Sequence, residues 1–133
     1  VAFVIGVLFA LGVGVFATAI KLDRDRAFYP TVMIVIAFLY VLFAAIGAST
    51  HALVVESLVG AIFIAVAVLG FKSSLWFVVL ALASHGIFDL VHGRLVSNPG
   101  VPVFWPAFCG AYDVAAAAYL AVLLKMNRVR AAA

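Results

Sequence analysis

Charge is what this chain has least of. Lys and Arg number 8 and Asp and Glu 5 among 133 residues, so the charged share is 10% against 69% hydrophobic, whereas soluble domains average roughly 25% charged. No Asp, Glu, Lys or Arg occurs in residues 1–20 or 27–55. Runs of that length belong in a bilayer, because a span needs ~20 apolar residues to cross a ~30 Å hydrocarbon core. The chain is short enough that such spans leave no room for a separate soluble domain, which excludes an appended Rossmann, P-loop or nucleic-acid-binding module. Its formal net charge of +3 therefore describes where basic residues sit relative to a membrane, not an affinity for nucleic acid. Cysteine is nearly absent too. Cys109 is alone, so there is no intrachain disulfide and no CxxC pair for a thiolate metal site or a redox couple. Only Met33 and Met126 carry thioethers, which argues against a Cu(I) site.

The sequence predicts an all-α protein of five transmembrane helices, about 2–20, 28–49, 52–71, 75–93 and 105–124, in a single integral membrane domain. The charged hinge KLDRDR (21–26) closes the first span, and the uncharged run 27–55 is too long for one crossing, so the GASTH segment (47–51) is its break. Residues 94–104, with Asn98-Pro99-Gly100 and Pro102, form the one long loop. Pro106 suits the first turn of the fifth helix, where a missing N–H costs nothing. Five antiparallel spans place Lys21, Arg24, Arg26, Lys72, Lys125, Arg128 and Arg130 on one side and only Arg94 on the other. By the positive-inside rule the seven-residue side is cytoplasmic, with the N-terminus outside and the C-terminus inside. Ala17-Thr18-Ala19 has the small-residue form of a signal-peptidase site, but no basic region precedes the apolar run, so the first helix is read as a span.

Gly6, Ala10, Gly14 and Thr18 recur every four residues and line one face of helix 1. Small residues let a neighbouring backbone approach closely, either within the chain or across a seam between two copies. Trp105, Phe104 and Phe108 at one interface, with Phe28, Tyr29, Phe71 and Trp76 at the other, suit interfacial anchors. The alternating hinge charges, Asp23 to Arg26, fix topology as solvated groups or contact a phosphate or lipid headgroup.

The informative residues are the ionisable ones inside the spans: Glu56, His85, Asp89, His92 and Asp113. A central Asp costs roughly 2.5–3.5 kcal/mol to insert, so such groups face a partner or a wet cavity. His85, Asp89 and His92 stand at i, i+4 and i+7 and share one helical face. Gly60, one turn below Glu56, leaves room for a close neighbour. By the rise per residue, Glu56 and Asp89 lie about 6 Å and His85 and Asp113 about 12 Å below the outer surface, with His92 near it. Helices 3, 4 and 5 thus converge at one depth in the outer half, while helices 1 and 2 offer only Thr18, Thr31 and Tyr40, assigned to the cytoplasmic half. Two histidines with two or three carboxylates suit Zn²⁺, Fe²⁺ or Mn²⁺, zinc foremost. His85, Asp89, His92, Asp113 and Glu56 are the candidate metal ligands, and Glu56 or Asp113 the candidate catalytic base. The alternative is a hydrogen-bonded cluster that holds the bundle together. His51 reads as a solvated turn residue, Cys109 as a small buried hydrophobe, and Tyr112 as either a partner of a carboxylate or interfacial packing.

The segments DRDRAFYP (23–30), SHGIFDLVH (84–92) and WPAFCGAYD (105–113) together resemble a family of small bacterial inner-membrane proteins of unknown function, over most of the chain from Lys21 onward. The resemblance implies a multi-pass protein of the bacterial plasma membrane and brings no activity with it. A looser chemical analogy is to the membrane hydrolases that include alkaline ceramidases and adiponectin receptors, which hold zinc among their helices with histidines and an aspartate. This chain differs in its five spans, one fewer helical histidine and no evident matching serine. Two functions follow: a metal-dependent hydrolase or lipid-modifying enzyme acting on membrane lipid, or a non-enzymatic ion or proton transport bundle or accessory subunit. Reporter fusions at Val1 and Ala133 should report opposite compartments, with Ala133 cytoplasmic; both ends on one side would remove the five-span topology.

Overall fold

The computed structural model describes all residues, Val1–Ala133. Five helices are long and apolar enough to cross a membrane: α1 (Ala2–Ala19), α2 (Phe28–Ile46), α3 (Thr50–Lys72), α4 (Trp76–Leu95) and α5 (Trp105–Lys125). A 3-10 turn at Leu22–Arg24 joins α1 to α2, and there is no strand, only an isolated bridge between Ser74 and Ala132. The helix expected to reach 49 stops at Ile46 because Gly47 closes it and Ala48 turns left-handed at φ 52°. Ser49 then caps α3, its hydroxyl accepting from the Ala52 N–H at 3.2 Å. Pro106 lies in the first turn of α5, as its chemistry requires.

The protein is inside out relative to a soluble domain. Phe9, Val35, Leu58, Ile62 and Leu80 are exposed, while Glu56, His85, Asp89, His92 and Asp113 are buried. Contacts run α1 to α5, α5 to α4, α4 to α3 and α3 to α2, so the ring of helices is continuous except between α1 and α2. The interior is divided along its length. Met33, Val78, Leu82 and Leu120, all fully buried, fill the half nearer the basic hinge, and the ionisable residues fill the half nearer the 96–104 loop.

The stripe on α1 is used within the chain. Gly6, Ala10 and Gly14 are buried; a Cβ at Gly6 would run into the Phe108 carbonyl and one at Gly14 would meet the Tyr119 ring at 2.9 Å. These residues let α1 lie against α5 within the chain.

The hinge is more than a solvated charge cluster. Asp23 is buried and accepts the Thr18 hydroxyl at 2.6 Å, and Thr18 in turn shares a hydrogen bond with the Tyr119 hydroxyl at 3.0 Å. Arg26 reaches across the basic end: Nη1 donates to the Arg130 and Ala131 carbonyls, each at 2.6 Å, and Nη2 to those of Phe71 at 3.0 Å and Gly70 at 3.3 Å. One guanidinium thereby ties the α1–α2 hinge, the end of α3 and the C-terminal tail, which the Leu75 N–H bond to Ala131 also holds at 2.8 Å. Arg26→Ala should lower stability by about 1–3 kcal/mol and expose the tail to protease, because donors on a charged group contribute more than neutral ones. Arg26→Lys should recover only part, since an ammonium lacks the planar fork. Arg24→Ala, at an exposed position, should change stability by less than about 0.5 kcal/mol; equal losses at both positions in denaturant titrations would refute the tie.

Candidate metal centre

Close approach of α4 and α5 builds the site. Gly86 and Gly110 face each other: a Cβ on Gly86 would stand 2.8 Å from the Gly110 carbonyl oxygen, and one on Gly110 would stand 2.9 Å from that of Gly86. The same hypothetical atoms lie 3.1 Å from the Asp113 Cβ and 3.2 Å from the Asp89 Cβ. The glycine pair therefore brings the two aspartate-bearing backbones together, with His85 one turn before Asp89 on α4. His85 Nδ1 lies 2.6 Å from Asp113 Oδ2 and 3.6 Å from Asp89 Oδ2, and its ring meets Phe63 edge-on at 4.8 Å between centroids.

His85, Asp89, Cys109 and Asp113 each present one donor atom, and these four atoms lie within 4.8 Å of one another, all buried. Tetrahedral zinc ligands at 2.0–2.3 Å stand roughly 3.3–3.8 Å apart, so the group needs about 1 Å of contraction around an ion. The carboxylates are short of partners. Asp89 Oδ1 and Oδ2 and Asp113 Oδ1 are buried without a hydrogen bond, although Asp89 is 1% and Asp113 0% exposed. A buried acceptor left unpaired costs ~1–3 kcal/mol, and more when charged. The Tyr40 hydroxyl and the Cys109 thiol flank Asp89 without closing a hydrogen bond to it.

The five residues expected around one ion divide into two groups. Glu56 and His92 form a second one nearer the loop, with His92 Nε2 2.7 Å from Glu56 Oε1. Asn98 joins them, its amide donating at 3.0 Å to both Glu56 Oε1 and the Tyr40 carbonyl. The Tyr40 ring stacks on His92 at 3.9 Å and 12°, and Phe88 meets His92 edge-on at 5.4 Å. Gly60 admits α2 at this level, a Cβ there standing 3.0 Å from the Ala37 carbonyl oxygen. Tyr40 thus belongs to the loop half, not to the hinge half expected from the sequence: twelve residues beyond Phe28 place it ~18 Å along α2 from the hinge. A small polar cavity of about 290 Å³ opens above His92, lined by Ser97, Asn98, Pro99 and Pro106. His51 is exposed on the first turn of α3.

Sequence reasoning took Cys109 for a core residue and the loop for turn chemistry alone. Pro106, Cys109 and Asp113 stand at i, i+3 and i+7, a spacing that places the thiol one turn from a carboxylate, and Gly86 and Gly110 beside His85 and Cys109 are the signs of close approach in the sequence. Comparison with known proteins finds no match: no protein-family model, no curated protein and no solved structure is similar to the chain. The functional reading rests on the site itself.

Because two donors converge on Glu56, Glu56→Ala should cost about 1–3 kcal/mol for each donor left unpaired, and Glu56→Gln distinctly less. Denaturant titrations in mixed micelles check this; unchanged midpoints for both variants would mean that the His92 pair contributes nothing.

Proposed function

We propose that this multi-pass membrane protein holds one divalent transition metal with His85, Asp89 and Cys109, beside Asp113, and uses it to hydrolyse a membrane amphiphile. The observation that carries the reading is the set of buried carboxylate oxygens on Asp89 and Asp113 with no hydrogen-bond partner, beside a histidine nitrogen and a thiol. A cation would supply the missing partner to Asp89 and a compensating charge to Asp113. Imidazole and thiolate favour zinc or ferrous iron over manganese or magnesium. The proton between His85 Nδ1 and Asp113 Oδ2 holds these atoms in place without an ion, and metal binding displaces it.

Catalysis by such a centre needs an open position. His85, Asp89 and Cys109 would hold the ion and leave a fourth position open, where it would lower the pKa of water toward ~7. Asp113 is the candidate base inside the group, whereas Glu56 is already engaged by His92 and Asn98. In the hydrolysis, water oxygen adds to an acyl carbonyl carbon, the carbonyl carbon–heteroatom bond breaks, and Asp113 carries the proton to the leaving group. The positive-inside charge bias favours a site in the outer half of a plasma membrane. The segments resembling a family of small bacterial inner-membrane proteins favour a bacterial one.

A self-satisfied polar cluster is favoured by one observation, the placing of the Tyr40 hydroxyl and Cys109 thiol beside Asp89. Ion or proton transport is disfavoured by the apolar layer of Met33, Val78, Leu82 and Leu120, which lies between the site and the hinge end. Elemental analysis of protein purified without a histidine tag or chelator should find about one equivalent of zinc or iron, with less than about a tenth in His85→Ala or Asp89→Ala. Lowering pH through ~6.5 should release the ion as the imidazole takes a proton. Less than about a tenth of an equivalent in the unaltered protein, at any pH, would leave the polar cluster as the better account.

A further inference from the structure

The gap in the ring of helices has its own chemistry. α1 leans on α5 and α2 leans on α3, and the hinge that joins them starts from Lys21 in a left-handed conformation, φ 66°. Between them runs a groove of about 510 Å³ whose walls include Phe9, Val35, Ile36, Phe108 and Tyr112, and whose lining is hydrophobic apart from Asp25 and Thr31 at the hinge end. It follows α2 from Ala27 to Leu39, a length of ~18 Å, more than half the ~30 Å hydrocarbon thickness.

Cys109 lines this groove and is also one of the four residues of the candidate metal centre. The groove thus runs along the bilayer and has the centre behind its wall near the loop end. The polar cavity above His92 is separate from it. Resting on the hydrolytic reading above, we infer that the seam between α1 and α2 seats one acyl chain of a lipid, with its carbonyl beside Cys109 and its tail running toward Asp25. A long groove with apolar walls, open along the membrane plane, suits a hydrocarbon chain. The apolar walls face a region that water-soluble substrates cannot reach without crossing hydrocarbon, and a carbonyl at the level of Cys109 has a full leaflet of tail to place below it. The acyl chain enters from the membrane plane.

Photolabelling tests this. Purified protein is reconstituted in phosphatidylcholine vesicles containing a phosphatidylcholine with a diazirine on one acyl chain, irradiated and mapped by mass spectrometry. Labels should concentrate on the groove walls, Val35, Phe108 and Tyr112 foremost. Val35→Trp, which fills the groove from an already exposed position, should reduce them about tenfold, equivalent to ~1.4 kcal/mol. Ile62→Trp, exposed on α3 away from the groove, should leave them unchanged. Size-exclusion profiles and intact five-span topology establish that both variants fold, and competition by unlabelled palmitate gives the same readout without any substitution. Labels spread evenly over all lipid-facing surfaces, labels that survive both Val35→Trp and palmitate, or chain-to-chain crosslinks in the groove would each overturn the inference. The readout needs no metal and no turnover. Groove labelling in a protein that holds no metal would retain the seat and remove the hydrolysis, and a metal-loaded protein with even labelling would do the reverse.

Discussion

Hydrocarbon offers no hydrogen bonds, so every ionisable side chain within these spans must find its partner inside the protein. That constraint organises the bundle. His85 faces Asp113, His92 faces Glu56, and the loop sends Asn98 inward to the same carboxylate. The helices that carry these residues have no freedom to rotate, because a turn of either would carry a carboxylate toward lipid. Apolar packing in the other half of the bundle, around Met33, Leu82 and Leu120, then needs only to be well filled.

Small residues decide how closely that constraint can be met. The facing pair Gly86 and Gly110 removes two side chains where α4 and α5 cross and brings Asp89 and Asp113 within reach of one histidine. Gly60 does the same for α3 against α2, and Gly6 for α1 against α5. In a membrane, where lipid is as apolar as leucine and burial alone does not drive helices together, close backbone contact is the principal source of packing energy. The site and the fold thus use one device.

Two unlike surfaces meet at the polar core. The loop end gives it a small polar opening over His92, and the seam between α1 and α2 brings an apolar groove to Cys109. The basic end is closed by the Arg26 tie and by the Asp23–Thr18–Tyr119 contacts, so the hinge charges serve the fold as well as any topology they impose.

The number of spans was legible in the sequence because it depends on run length and charge alone, local quantities that tertiary contacts do not alter. The alignment of His85, Asp89 and His92 on one face was legible for a similar reason: helical periodicity is fixed by the backbone. Depth matching also anticipated that Glu56 and Asp113 would meet that face. Which residues share a centre was decided only by tertiary structure, since a few ångströms of helix separation distinguish one five-residue site from two smaller ones. Cys109 joins the group because Gly86 and Gly110 let α5 approach, and Tyr40 lies over His92 because α2 runs from the hinge toward the loop. The groove was equally invisible, for a seam exists only where two helices fail to touch, and no property of either helix by itself records the distance to its neighbour.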